Sequence, residues 1–230
     1  MTRSELRTRI LNALNDSATS PVFWSSAQIN QLIDEGSEIL AEELSGIKRT
    51  ALTALRPGST YYATRGIAPD LMVPYRVWVP SLNRRLTATT PGQLDAYHER
   101  WLTVTGDPEY WFPMGWDWFG IFPHASAGGG VLRVDYLAWP RTLLDDSDEP
   151  EFLGADHDAL TIYGVYSGLL KRWDIQQAQY VFAMFLEKIG KGKGRAGEKT
   201  MQARAWQKTS GSNMGFRSSV VGDRFGSRMN

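Results

Sequence analysis

Residues 158–173 read Asp158-Ala159-Leu160-Thr161-Ile162-Tyr163-Gly164-Val165-Tyr166-Ser167-Gly168-Leu169-Leu170-Lys171-Arg172-Trp173, and this stretch decides the fold. Leu160, Ile162, Tyr163, Val165, Tyr166, Leu169, Leu170 and Trp173 put apolar surface nearly all round a helix, so the spacing predicts a helix buried among others. Leu153-Gly154-Ala155-Asp156 opens it, with Asp156 and Asp158 near its positive end. Trp173-Asp174 marks a turn. Ala178, Val181, Phe182, Phe185, Leu186 and Ile189 then form the stripe of a following helix. Leu160, Ile162, Tyr166, Leu169, Val181, Phe182 and Phe185 are the expected core of this pair.

A buried helix needs neighbours, and the first 46 residues supply them. Leu6, Ile10, Leu11 and Leu14 share a face behind a Ser4 cap, until Asn15, Asp16, Ser17 and Pro21 end the pattern. A second helix opens near Ser25 or Ser26. Its stripe is Ile29, Leu32, Ile33, Ile39, Leu40 and Leu44, with Asp34, Glu35, Glu38, Glu42 and Glu43 facing outward and Ser45-Gly46 as the stop. Between the two helix pairs the period becomes strand-like. Runs at 50–55, 60–64, 72–79, 84–88, 118–122 and 131–139 read as strands separated by Pro and Gly turns, and His124 to Gly130 as a hairpin turn. Thr90-Pro91-Gly92 introduces a short helix through Leu94, Tyr97 and Trp101. The predicted fold is α+β: a bundle of about four helices (1–46 and 152–189), a β-rich insertion (47–140), an acidic linker (141–151) and an extended basic C-terminal arm (190–230).

Charge is distributed unevenly. Of 25 basic and 25 acidic residues, ten bases and two acids fall in 188–230, leaving 15 bases and 23 acids before it. Such a split suits head-to-tail contact between copies, or an acidic body with a basic plug. The basic stretch carries single large apolar residues: Met201, Trp206, Met214, Phe216 and Phe225. Aromatic anchors supply much of the energy of small interfaces, so we read the stretch as an arm that orders on a partner. Its contact residues are expected to be Lys191, Lys193, Arg195, Lys199, Arg204, Trp206, Phe216, Arg217 and Phe225.

Catalytic chemistry is not apparent. The chain has no cysteine, which removes disulfides and thiolate metal sites and fits synthesis in a reducing cytoplasm. No apolar run nears the roughly 18 residues of a membrane span, and MTRSELRTRI is not a signal peptide. The acids between Asp145 and Asp158 lack EF-hand spacing and read as a solvated linker. His98, His124 and His157 form no HExxH pattern, and Gly190-Lys191-Gly192-Lys193-Gly194 follows a helix where a phosphate loop would follow a strand. Neither an enzyme nor a cofactor is expected. A basic arm with aromatics could also follow a phosphate backbone, so a nucleic-acid-binding role in DNA packaging is the alternative.

The layout resembles the head-to-tail adaptor (head completion, or connector) proteins of tailed double-stranded DNA bacteriophages. The resemblance lies in Trp24-Ser25-Ser26-Ala27-Gln28-Ile29-Asn30-Gln31-Leu32-Ile33-Asp34-Glu35, and in Tyr136-Leu137-Ala138-Trp139-Pro140 followed by Leu143-Leu144 and an acidic stretch. It continues in Asp158 to Tyr166 and in Ala178-Gln179-Tyr180-Val181-Phe182, and covers roughly residues 4–190. It implies a structural protein of the virion neck, made in the host bacterium, with no membrane contact. It implies a ring of twelve copies beneath the portal protein, the arm gripping the portal, tail or tail-hub proteins docking below, and DNA passing through the lumen unread. Another tail structural protein, such as a tail terminator, is the alternative within that class.

Overall fold

The computed structural model describes residues 1–16, 23–44, 46–97, 99–115, 117–126 and 130–209, with backbone alone over 194–209. The chain divides into two units, Met1–Gly192 and Lys193–Asn230. In the first unit, α1 (Arg3–Ala13) and α2 (Ser26–Leu44) precede a β region, and α4 (His157–Lys171) and the start of α5 (Ile175–Thr209) follow it. The α1 cap is Thr2 rather than Ser4: the Thr2 hydroxyl accepts from the Glu5 amide, while the Glu5 carboxylate accepts from the Thr2 amide. Thr2 and Glu5 stand at the spacing of a reciprocal capping box, which Ser4 lacks.

One apolar cluster joins the helices. Leu6, Ile10, Leu11 and Leu14 of the first segment meet Ile29, Leu32, Ile33 and Leu40 of α2, Leu160, Val165 and Leu169 of α4, and Phe185 and Ile189 of α5. Close approach depends on glycine. A Cβ at Gly164 would lie 2.5 Å from Ile10 Cδ1, and one at Gly168 would lie 2.7 Å from Leu14 Cδ1. Two glycines four apart on α4 thus receive two aliphatic side chains four apart on the α1 segment, a ridge seated in a groove.

The strands are β1 (Lys48–Ala54), β2 (Tyr61–Ala63), β3 (Leu71–Val79), β4 (Arg84–Arg85), β5 (Thr87–Ala88), β6 (Thr105–Gly106), β7 (Tyr110–Met114), β8 (Trp118–Phe122), β9 (His124–Ala125) and β10 (Val131–Ala138). They form one sheet in the order β1-β10-β3-β4, a second in the order β2-β8-β7-β5, and a parallel β6–β9 pair. The expected hairpin at His124 to Gly130 is therefore absent, because β8 and β10 belong to different sheets; residues 127–129 lie outside the described residues. Pro74 is tolerated in β3 beside a register shift between Asp135 and Tyr136 of β10. The predicted short helix stops at Tyr97 as α3 (Pro91–Tyr97), and Trp101–Thr103 is a separate 3-10 turn.

Two expectations about helix faces need correction. Leu160, Leu169 and Phe185 are buried, but Ile162, Tyr166 and Val181 are only partly so, and Phe182, Leu170 and Trp173 are exposed. α1, α2 and the start of α5 all contribute to the apolar cluster around α4, and among the apolar side chains of α4 Leu170 alone is exposed. The last helix also does not end at Ile189. Helical backbone runs to Thr209, so the arm is not extended over its first twenty residues. Apart from Gly197, Thr200 and Trp206, residues 195–208 are all Ala, Lys, Arg, Glu, Gln or Met, and their propensities outweigh glycines costing about 1 kcal/mol each.

Gly120 of β8 lies directly opposite Phe112 of β7, whose ring occupies the space a Cβ would take, 2.1 Å from Cζ. Phe112 is fully buried and held edge-on by Trp101 and Tyr61, so it has nowhere to move. Gly120→Ala should cost about 2 kcal/mol by overpacking. A fall of roughly 4–8 °C in thermal midpoint is the expected readout, and an unchanged midpoint would contradict this packing.

Candidate interaction surfaces

The acidic linker is a strap held by arginines. The Arg7 guanidinium makes two 2.7 Å hydrogen bonds to Asp146, and Arg49 donates to both Glu151 oxygens at 2.6 and 2.7 Å while also pairing with Asp70. Arg3 donates to the Leu144 carbonyl at 2.8 Å, and its amide donates to the Asp148 carbonyl. Leu143 inserts into the helical core. The pairing holds Asp146 below the ordinary carboxylate range, first through the Arg7 hydrogen bond. Arg141, Thr142 and Leu144 to Ser147 are exposed, so the linker is solvated as expected and is also pinned by these arginine pairs. Among the described residues, no group of three or more His, Asp or Glu side chains could hold a metal ion.

His157 is structural as well. Its Nδ1 accepts from the Met1 amino group at 2.9 Å, and its Nε2 donates to the Phe152 carbonyl at 3.2 Å, so both ring nitrogens are occupied. An ammonium can only donate and a carbonyl can only accept, which fixes this neutral tautomer.

The outer face of the first sheet carries a second charged arrangement. Asp135 of β10 is 3% exposed yet faces outward, because Thr50 donates to it at 2.7 Å, Arg133 at 3.1 Å, and Arg76 pairs with it. Burial pushes this carboxyl upward, but the three donors outweigh burial and hold it below the ordinary value of 3.8.

The third surface is apolar. Tyr166 and Phe182 meet in a tilted pair with ring centroids 4.8 Å apart, and Tyr163 meets Phe185 at 5.4 Å, so an aromatic seam joins α4 to α5. Leu170 of α4 and Ile175, Tyr180, Phe182, Met184 and Leu186 of α5 are exposed, Phe182 and Leu186 beside the seam and Tyr180 and Met184 on other faces of α5. At its end stands Trp173, 83% exposed with φ +62°. The Asp174 amide donates to the Leu169 carbonyl and the Trp173 amide to the Leu170 carbonyl, the Schellman pattern that normally places glycine at this position. Tryptophan there costs folding energy and gains little burial.

The residues expected in the arm are unevenly placed. Lys191 is exposed and pairs with Glu187 at 2.5 Å, one helical turn away. Lys193 begins the second unit. Arg195, Lys199, Arg204 and Trp206 lie in the helical backbone of that unit, which brings them into a helix rather than a loose tail. Phe216, Arg217 and Phe225 lie outside the described residues. Sequence reasoning missed the Arg76–Asp135–Arg133 cluster, whose members sit on strands paired at long range. It also missed the exposure of Phe182 and Leu186 on α5, whose place in the apolar stripe suggested burial.

The model of one protein family, the SU10 adaptor proteins, matches residues 1–210. The chain belongs to that family. The match takes in the bundle, both sheets, the strap and the helical part of the arm. It supports a structural adaptor role of the phage-neck kind. Among the curated proteins, no match is found. No described helix is long and apolar enough to cross a membrane.

Two substitutions separate structure from function on these surfaces. Asp135→Asn should destabilise the fold by about 2 kcal/mol, since it removes charge-assisted hydrogen bonds at a buried site. A carboxyl depressed in the folded state contributes stability above the ordinary value and loses it as pH falls further. The wild-type chain should therefore lose stability in acid below about pH 4, and Asp135→Asn should flatten that part of the profile. Trp173→Gly should raise the thermal midpoint by roughly 2–4 °C, relieving about 1 kcal/mol of left-handed strain. A fall in the midpoint would mean that Trp173 packs in the folded monomer.

Proposed function

We propose that this chain is a structural ring subunit of the phage neck, seated beneath the portal and offering a docking surface to the tail. The observation that carries this reading is the family match, which runs through the bundle and on to residue 210. Exposed side chains support it. Several large apolar ones, Leu170, Phe182 and Leu186 among them, are exposed on α4 and α5, and exposed apolar surface on a folded unit is suited to protein contact. Trp173 and Tyr180 (71% exposed) are residue types that dominate such contacts.

In this reading the segments 1–46 and 152–189 form the body, and 47–140 is the insertion that meets tail proteins or neighbouring copies. The basic residues 190–230 grip the portal. A helix bearing Arg195, Lys199, Arg204 and Trp206 is a ready docking element, since much of its ordering entropy is already met. The finished ring lies in the virion neck, with DNA passing through the lumen without sequence-specific contact.

The test is truncation after Lys193, mixed with the portal ring of the same virus and viewed by negative stain. Full-length protein should add a symmetric collar to one end of the portal. The truncated chain should leave portals bare while keeping the helical circular dichroism of residues 1–192. A full collar from the truncated chain would remove the arm from the mechanism, and bare portals with the full-length chain would remove the neck assignment.

A further inference from the structure

The helix α2 carries five acids, Asp34, Glu35, Glu38, Glu42 and Glu43, and no base. Asp34 faces Arg3, and Glu43 is also engaged. Glu35, Glu38 and Glu42 fall on one ridge at spacings of three and four, and enter no ion pair among the described residues. Like charges at these spacings repel along a helix, and Glu42 also sits in the last turn, where the helix dipole is negative. The ridge is therefore unfavourable to the folded monomer on two counts.

A matching surface exists elsewhere on the same unit. Leu52, Arg133, Trp78 and Arg85 are directly paired across the four strands β1, β10, β3 and β4, forming one row on the outer face of the first sheet. Arg76 lies in the adjacent row, and Lys48 stands at the end of β1 with its ammonium 5.8 Å from the Tyr75 ring centroid. The strand residues of this face thus hold four cations, Lys48, Arg76, Arg85 and Arg133, against the single acid Asp135; Arg76 and Arg133 pair with that acid and Arg85 is also engaged within the copy, so the face keeps a net positive charge. Leu52, 66% exposed, adds an apolar spot within the charged field. The dimensions agree: seven residues of helix from Glu35 to Glu42 span about 10 Å, and two strand spacings from Arg133 to Arg85 also span about 10 Å.

One copy cannot bring these surfaces together. Ala41 of α2 joins the same apolar cluster as Val77, Val79, Leu132 and Val134 on the inner face of the sheet, so α2 lies on the inner side and the sheet itself stands between the acidic ridge and the outer face. We infer that the acidic ridge of α2 in one copy docks on the cationic outer face of the first sheet in the next. Such a contact joins two different surfaces, so it is heterologous and propagates from copy to copy until a ring closes. This rests on the ring reading above and names the two faces that would meet in it.

The experiment is a charge swap on the full-length chain. One variant carries Glu35→Lys, Glu38→Lys and Glu42→Lys. The other carries Lys48→Glu and Arg85→Glu, leaving Arg76 and Arg133 to hold Asp135. Both should keep the wild-type circular dichroism. Collar formation is then measured as subunits bound per portal ring across a concentration series. Each variant alone should need about tenfold or more protein than wild type, because like charges now face each other. An equal mixture of the two should recover the wild-type midpoint, since each reversed ridge then meets a reversed face. Wild-type behaviour by either variant alone, or failure of the mixture to recover, overturns the docking mode while leaving the ring reading intact. Absence of any collar from the wild-type protein overturns the ring reading and this contact with it.

Discussion

The first unit depends on the missing side chains of Gly164 and Gly168. Because α4 has no Cβ at these positions, Ile10 and Leu14 enter its groove and α1 comes into close contact with it. That approach fixes α1, and α1 in turn presents Arg3 and Arg7 to the returning chain. The strap after β10 can then lay Leu143 into the helical core and deliver the polypeptide to the start of α4. Most of this segment stays in solvent, and bidentate arginine pairs at Asp146 and Glu151 pin it to the folded unit. Arg49 reaches the strap from β1, so the same charge pairing ties the sheet to the helices.

Helix positions were legible because their information is local. The stripe Leu6, Ile10, Leu11 on α1 and the run from Ile29 to Leu44 on α2 need no knowledge of their partners. Most strands with β-branched or aromatic runs, such as Leu71–Val79 and Trp118–Phe122, were legible for the same reason. Their pairing was not. The residues joined by β1 and β10 are more than 75 positions apart, and the parallel pairs β5–β7 and β6–β9 leave no periodic mark. Tyr110–Met114 was missed outright, since Pro113 within it argues against a strand.

The candidate surfaces divide along similar lines. The acidic face of α2 could be read directly, but its counterpart could not, because Leu52, Arg133, Trp78 and Arg85 become a row only through strand register. Counting glycines after residue 190 obscured the helix-forming residues between them. On α4, an apolar circumference did mark burial, with Leu170 alone exposed among its apolar side chains, whereas Phe182 and Leu186 in the stripe of α5 are exposed.

Gly192 is the last residue of the first unit and lies in the bundle. A Cβ there would meet Leu44 Cδ2 at 2.7 Å. Leu44 closes α2, and Ile47, a few residues on, begins the core of the sheets. Mechanical load applied to the polypeptide beyond Gly192 therefore enters at the junction between the helical and sheet cores. A larger side chain at this one position would press on the residue that closes α2, so the chain leaves the first unit at a point where the backbone itself is part of the packing.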